Sequence, residues 1–195
     1  AGISLRVANA FEPEDPGTLI DTDAPEAARV EMVTGLDVTA LEVFEQDMLG
    51  VKGYDATILE ALTRHRLRIV SKSSNANTIT HFVDASLKAV RRAERQIAEA
   101  YPSARIGTRR VALVSVIGRN IAGLEVMQKG LGALSEAGIV PLALQQGSRA
   151  VDAQFVVPAE AQLDAIRALH RALVEEADET PQAGAPAIPR LVRAA

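Results

Sequence analysis

The strongest constraint on the fold is an order of predicted elements that occurs twice, 72 residues apart. The matched segments are Ala61-Leu62 with Ala133-Leu134, Leu67 with Ile139, Ala40-Leu41 with Ala112-Leu113, and Val83 with Phe155. Solenoid repeats are shorter, at roughly 20–50 residues. The sequence therefore predicts a duplicated module of the order strand, helix, strand, strand, helix.

Apolar periodicity gives the elements of each copy, because helices and strands repeat every 3.6 and 2 residues. In the first copy we predict strands Val38–Phe44, Leu67–Val70 and Thr78–Val83, helix Tyr54–His65, and a helix capped by Asp84 or Ser86. In the second we predict strands Val111–Ile117, Ile139–Leu144 and Val151–Val157, helix Leu124–Ala137, and a helix that starts at Pro158. The helix faces expected to be buried are Tyr54, Ile58 and Leu62; Leu87, Val90 and Ile97; Leu124, Met127, Leu131 and Leu134; and Leu163, Ile166, His170 and Leu173.

The N-terminal region is less regular. Residues Ile3–Val7 predict a short strand, and the proline- and acid-rich run that follows, residues 9–20, predicts a turn-rich connector. Another strand is predicted at Arg29–Thr34. This region is either the end of a preceding domain or an ordinary N-terminal arm. The tail from residue 178 to 195 is rich in Ala and Pro and is expected to be disordered.

Composition excludes several classes of function. The net charge is −4 and aromatic residues make up 3% of the chain, which argues against a nucleic-acid partner. The chain has no cysteine, so it has neither disulfides nor thiolate metal sites, and no run of apolar residues is long enough for a membrane span. The three histidines fall in different predicted elements, and we expect no metal site.

A candidate binding site precedes the first helix. The loop Met48–Gly53 contains two glycines, and backbone N–H groups at a helix start are free to bind an anion. The polar turn Ser73–Asn77 adds hydroxyl and amide groups. Together they could hold a small zwitterion, although the turn is also a simple hairpin turn.

Four segments make this chain resemble the C-terminal regulatory half of an aspartate kinase. Arg6-Val7 with the segment Phe11–Ile20 is similar to the end of that family's kinase domain. Val111–Gly118 resembles the first strand of its second ACT domain. Met48 to Tyr54 and Ser73–His81 resemble the subclass linked to ectoine synthesis. The resemblance covers nearly the whole chain except the tail.

The resemblance implies an α+β fold of two tandem ferredoxin-like ACT domains, with antiparallel sheets and helices on one face. The implied divisions are the end of a kinase domain with a linker at 1–28, a first ACT domain at 29–104 and a second at 105–177. Two such domains need eight strands, two more than the six predicted from Val38 onward. Strand 29–34 could join the second domain, and a short strand near Arg105–Ile106 could supply the other.

The resemblance also implies an effector site at an interface between subunits. The positions carried over are Met48, Val51, Gly53, Tyr54, Asp55, Ile69, Val70, Ser73, Ser74 and Asn75. Asp55 could accept an ammonium group. Feedback-sensitive relatives have Asn-Ile-Asp where this chain has Arg68-Ile69-Val70, so we predict weak or absent binding of lysine and threonine.

The implied function is that of a cytoplasmic, effector-sensing region that forms a homodimer through its ACT domains and is itself non-catalytic. Its parent protein would phosphorylate aspartate, with ATP and magnesium bound in the kinase domain. Two alternatives share the topology. A small acylphosphatase-like enzyme would need an arginine in the glycine loop, where Lys52 is the only cation. An RNA-binding module would need aromatic residues on its central strands.

Overall fold

The computed structural model describes residues 3–20 and 27–175, with the predictions for residues 21–26 and for the tail lying outside these ranges. The strands are β1 (Leu5–Val7), β2 (Thr18–Ile20), β3 (Arg29–Phe44), β4 (Arg68–Ser74), β5 (Thr78–Asp84), β6 (Arg105–Arg119), β7 (Ala143–Gln146) and β8 (Asp152–Pro158). The α-helices are α1 (Tyr54–Arg64), α2 (Leu87–Ala100), α3 (Val126–Glu136) and α4 (Gln162–His170). A π-helical turn, Arg171–Glu175, follows α4. None of the described helices is long and apolar enough to cross a bilayer.

Six strands form one antiparallel sheet in the order β4-β5-β3-β6-β8-β7. The first ferredoxin-like half contains the end of β3, then α1, β4, β5, α2 and the start of β6. The second contains the rest of β6, then α3, β7, β8 and α4. It is completed by the start of β3, which comes earlier in the chain than the rest of either half. The predicted α+β class with an antiparallel sheet is confirmed, but the two halves share one continuous sheet.

The two long strands β3 and β6 connect the halves. Arg29–Thr34 does not stand alone, because β3 continues to Phe44 and pairs with β6 from Arg29↔Arg119 to Phe44↔Arg105. The predicted strands Val38–Phe44 and Val111–Ile117 were therefore too short. The domain boundaries 29–104 and 105–177 stay a prediction.

Gly35 concealed the continuity of β3, because glycine inside a strand usually marks an interruption. In the fold it instead allows α4 to lie close to the strand. A Cβ at Gly35 would be 2.8 Å from Cδ1 of Ile166 and 2.9 Å from Nε2 of Gln162.

All four helices cover the same face of the sheet. Leu41 and Val43 of β3 are buried with residues of α1 and α2, and Val114 of β6 is buried with residues of α3 and α4. Ser86 caps α2, as predicted, by accepting a hydrogen bond from the N–H of Ala89. The predicted buried faces are correct at most positions, including Ile58, Leu62, Val90, Ile97 and Leu173, which are all buried.

Three leucines on the predicted helix faces are exposed, and one of them, Leu131 of α3, is 37% exposed. Leu87 is 58% exposed and Leu163 is 64% exposed. Leu87 and Leu163 each lie in the first turn of their helix, where the chain is still approaching the sheet. Periodicity alone does not show where a helix first meets its neighbours.

The 72-residue repeat is correct for the first helix of each half and wrong for the strands. α1 and α3 are separated by the predicted 72 residues. Leu41 faces α1 and α2, however, whereas Leu113 lies in the cluster on the opposite face of the sheet. The equivalent of Leu41 is Val114, because a shift of one residue moves every side chain of a strand to the other face. Phe155, which pairs with Val114, is likewise the equivalent of His81, which pairs with Leu41.

Several predicted element ends need correction. β4 continues past the predicted end at Val70 to Ser74, so Ser73 and Ser74 belong to this strand and not to the predicted turn. The last helix does not begin at Pro158, which ends β8 opposite Val111, and α4 starts at Gln162. The strand predicted at Ile139–Leu144 starts only at Ala143, because Pro141 has no N–H for the ladder. The predicted connector of residues 9–20 includes β2, which pairs with β1.

The sheet curls over its open face until its two edges meet. The Ser71 hydroxyl of β4 lies 3.1 Å from Oε1 of Gln145 in β7 and 2.8 Å from Oε1 of Gln154 in β8. Beneath this contact is an apolar cluster that includes Ala40 and Phe82. The open face is therefore concave and partly enclosed.

Candidate functional site

The loop before α1 has the backbone geometry predicted for an anion site. Gly53 caps the helix with φ 99° and ψ −10°, and Gly50 also has a positive φ. Because an α-helix offers its first N–H groups no partner within the helix, those of Tyr54 and Asp55 point toward the loop. A Cβ at Gly53 would meet no atom within 4 Å, so open space adjoins the helix start.

Two of the predicted site residues hold the loop in place. Met48 is buried in the core beneath α1 and α2. The ring of Tyr54 stacks on that of Tyr101, with centroids 4.1 Å apart. Val51 and Ile69, by contrast, are 55% and 40% exposed. An apolar surface therefore lies beside the loop and the edge strand β4.

Asp55 already has a cationic partner. Nζ of Lys72 lies 2.6 Å from Oδ2 of Asp55, and Nε2 of His81 lies 3.8 Å from Oδ1. Lys72 and His81 are opposite each other on β4 and β5, on the face that α1 covers. The predicted ammonium acceptor of the site is thus paired with a lysine of the same chain.

His81 is fully buried, and neither of its ring nitrogens has a hydrogen-bond partner among the described residues. Burial, the largest effect, and the nearby charge of Lys72 together lower the pKa of His81 from 6.5 to about 4, against the smaller opposing effect of Asp55. The ring is therefore neutral at pH 7.

The remaining predicted residues lie elsewhere. Val70 packs against the apolar cluster of the open face. Ser73, Ser74 and Asn75 line a cavity on that face, and Oδ1 of Asn75 accepts hydrogen bonds from the N–H groups of Asn77 and Thr78. The structure therefore separates the predicted set into a loop group on the helix face and a turn group associated with the open face.

Sequence reasoning missed Lys72 and His81. Each interrupts a run of uncharged strand residues at a position that faces the helices, and this pattern was the available signal. Arg68 was noted only as a departure from the family pattern. It forms an ion pair with Asp84 across β4 and β5.

The strand aromatic residues do not form a stacking surface. Phe82 and Phe155 are buried, and Phe44 lies beneath the guanidinium of Arg105 at 5.4 Å. Stacking recognition of single-stranded RNA needs exposed rings on the sheet. This geometry does not favour the RNA-binding alternative.

No family model matches the chain. It is 46% identical over 177 residues to aspartate kinase Ask_Ect of Stutzerimonas stutzeri, an alignment that covers 90% of this chain and 37% of that protein. The chain thus spans well under half the length of this relative.

Solved structures share the fold. The aspartate kinase of Clostridium acetobutylicum matches with a TM-score of 0.81 at 19% identity, covering 89% of this chain and 42% of that one. Aspartokinase III of E. coli, in complex with lysine and aspartate, matches at 0.71 and 20% identity, covering 89% and 39%.

A shorter protein matches almost end to end. The regulatory subunit of aspartate kinase from Thermus flavus has a TM-score of 0.63 at 20% identity, and the match covers 74% of this chain and 98% of that subunit. The resemblance predicted from the sequence is confirmed: this chain is similar in sequence to an aspartate kinase and has the fold of an aspartate kinase regulatory region.

Proposed function

We propose that this chain is the effector-sensing and dimerising region of an aspartate kinase, and that it acts in the cytoplasm. The observation that carries the proposal is the open space at Gly53, where the first N–H groups of α1 adjoin the exposed loop beside β4. The 46% identity to Ask_Ect supports a parent enzyme that phosphorylates aspartate in ectoine or lysine synthesis. ATP and magnesium belong, in this proposal, to the part of the relative that this chain does not span.

The proposed effector pocket is formed by the loop and the exposed part of β4. Val51, Gly53 and Ile69 line it, while Met48 and Tyr54 hold the loop in place. The backbone N–H groups would bind a carboxylate. Asp55 would not serve an ammonium group, because Lys72 occupies it. Weak or absent binding of lysine is therefore the expected behaviour of the wild-type chain.

Titration calorimetry with a panel of amino acids tests this proposal. Any effector that binds at the loop should lose affinity in Gly53→Val, because the side chain enters the space beside the N–H groups and strains a backbone with positive φ. Gly138→Val, at another positive-φ glycine with open space, controls for backbone strain. Tight lysine binding that survives Gly53→Val would refute the site.

The chain by itself should not transfer phosphate from ATP to aspartate. It has no glycine-lysine phosphate loop in its sequence. A hydroxamate assay on the purified chain measures this activity. A signal that persists through repeated purification would contradict the proposal.

A further inference from the structure

The concave face of the sheet contains a cavity that the proposed effector loop does not use. Its volume is about 510 Å³, within the range of small-molecule sites. It is lined by β3, β4, β5 and β6 of the first half and by Leu142 and Ala143 of the second half. The cavity exists because the sheet curls until β4 meets β7 and β8.

Opposite charges stand on neighbouring strands at this cavity. Arg109 lies across from Ala40, and Glu42 lies across from Gly107, so both charged side chains share the open face at diagonal positions. They form no ion pair with each other within 4 Å. Arg109 has no ion-pair or hydrogen-bond partner among residues 3–20 and 27–175, and Glu42 accepts only a 3.4 Å hydrogen bond from the Thr80 hydroxyl.

The floor between these charges is apolar. Ala40 and Phe82 are buried beneath it, and Leu142 and Ala143 form the wall on the side of the second half. Gly107 leaves space beside Glu42, since a Cβ there would meet no atom within 4 Å. A ligand that satisfies all of these groups carries one cation, one anion and an uncharged body.

We propose that this cavity binds a zwitterionic α-amino acid with an uncharged, aliphatic side chain, its carboxylate on Arg109 and its ammonium on Glu42. Bonds of charged groups are stronger than neutral ones, and both ligand charges find a partner here. A third charge, as in lysine, would face the apolar floor without a partner. The site lies on the opposite side of the sheet from the effector loop and does not depend on it.

Leucine and two of its analogues provide the probes. Isopentylamine lacks the carboxylate and 4-methylpentanoate lacks the ammonium, so each leaves one protein charge unpaired. Titration followed by amide NMR shifts should show saturable leucine binding, with shifts at Gly107, Thr108 and Ala143. Each analogue should bind about tenfold to a hundredfold more weakly than leucine.

Matched variants test the two charged side chains and the open space beside Gly107. Arg109→Met, Glu42→Gln and Gly107→Leu should each weaken leucine binding at least tenfold, by roughly the loss of one charged interaction. Arg110→Met should leave it unchanged, because Arg110 lies on the other face near Asp37, 4.0 Å away. These residues are exposed, so the variants should fold.

Each result decides the inference separately from the proposed function. Absence of saturable binding at millimolar leucine, or binding unaffected by Arg109→Met and Glu42→Gln, would overturn it. Shifts confined to Gly53–Asp55 would also overturn it, and would instead support the effector loop. Loss of leucine binding in the cavity variants, with amide shifts of Gly53–Asp55 that stay unchanged on addition of leucine, would support it.

Discussion

At the scale of single residues, Lys72 occupies the carboxylate that the proposed effector loop would otherwise offer to a ligand. Its ammonium occupies the carboxylate of Asp55 at 2.6 Å, as the ammonium of a ligand would. The pair is partly exposed, so its direct contribution to stability is small. Its main consequence is for selectivity.

Removing the Lys72 charge should therefore create lysine binding. In Lys72→Met the stem of the side chain is kept and Asp55 becomes free, and we expect lysine affinity to rise at least tenfold, by about 1.4 kcal/mol or more. Titration calorimetry of both proteins measures the change. Lys52→Met, at an exposed lysine of the Met48–Gly53 loop, is the control. Equal affinity of Lys72→Met and wild type would show that Asp55 is not a latent ammonium site.

His81 should make the fold sensitive to acid. Its folded pKa of about 4 is below the unfolded value of 6.5, so the unfolded chain binds the proton first as pH falls. The contribution of neutral His81 is present above pH 6.5 and is lost toward pH 4, by up to about 3 kcal/mol. The free energy of unfolding should thus fall more steeply across this window in wild type than in His81→Leu.

Urea denaturation from pH 7.5 to 4.5 measures that difference, with His170→Gln as the control because His170 is exposed beside Glu175. Parallel pH profiles for wild type and His81→Leu would contradict the assignment. His81 is also notable because its counterpart in the second half is Phe155, a residue with no charge to gain.

At the scale of elements, two glycines of α3 should respond oppositely to alanine. A Cβ on Gly130 would be 2.5 Å from the ring of Phe155, whereas a Cβ on Gly132 would meet nothing within 4 Å. Gly130→Ala should cost roughly 1–3 kcal/mol by overpacking. Gly132→Ala should add roughly 0.5–1 kcal/mol, because glycine is a poor helix former. Urea midpoints of the two variants give the comparison, and a shift of the same sign in both would contradict this packing.

The elements also show what the sequence could and could not predict. α1 and α2 were predictable because Ile58, Leu62, Val90 and Ile97 follow the helical period and are buried. The continuity of β3 through Gly35 and its register were not predictable, since glycine inside a strand usually marks an interruption. Only the position of α4 explains why a side chain is absent there.

The same holds for the candidate site. The glycine loop was predictable because Gly50 and Gly53 precede a helical pattern, and both have positive φ. The pairing of Asp55 with Lys72 joins residues from a helix and a strand, so it depends on how α1 lies on the sheet. The separation of Ser73 from the loop similarly depends on which face of β4 this residue takes.

At the scale of the whole molecule, we predict a homodimer formed near β4. This strand ends the sheet, and unpaired strand edges are usually covered in natural proteins. Leu49, Val51 and Ile69 are exposed beside it. Sedimentation should show a dimer at micromolar concentration, weakened at least tenfold by Ile69→Glu. Leu163→Glu, at an exposed leucine of α4, should leave it intact, and a monomeric wild type would contradict the prediction.

The path of β3 through both halves also has a consequence for the order in which the chain can fold during synthesis. Residues 29–37 pair only with β6 among the described strands, so this segment emerges long before its partner. When β6 has been made, the first half has all of its strands, but β8 and α4 are still missing, and Ala112, Val114 and Val116 have nothing to cover them. The nascent protein therefore passes through a stage in which one finished half carries an open apolar strand surface, and that stage is where chaperones or premature association would act.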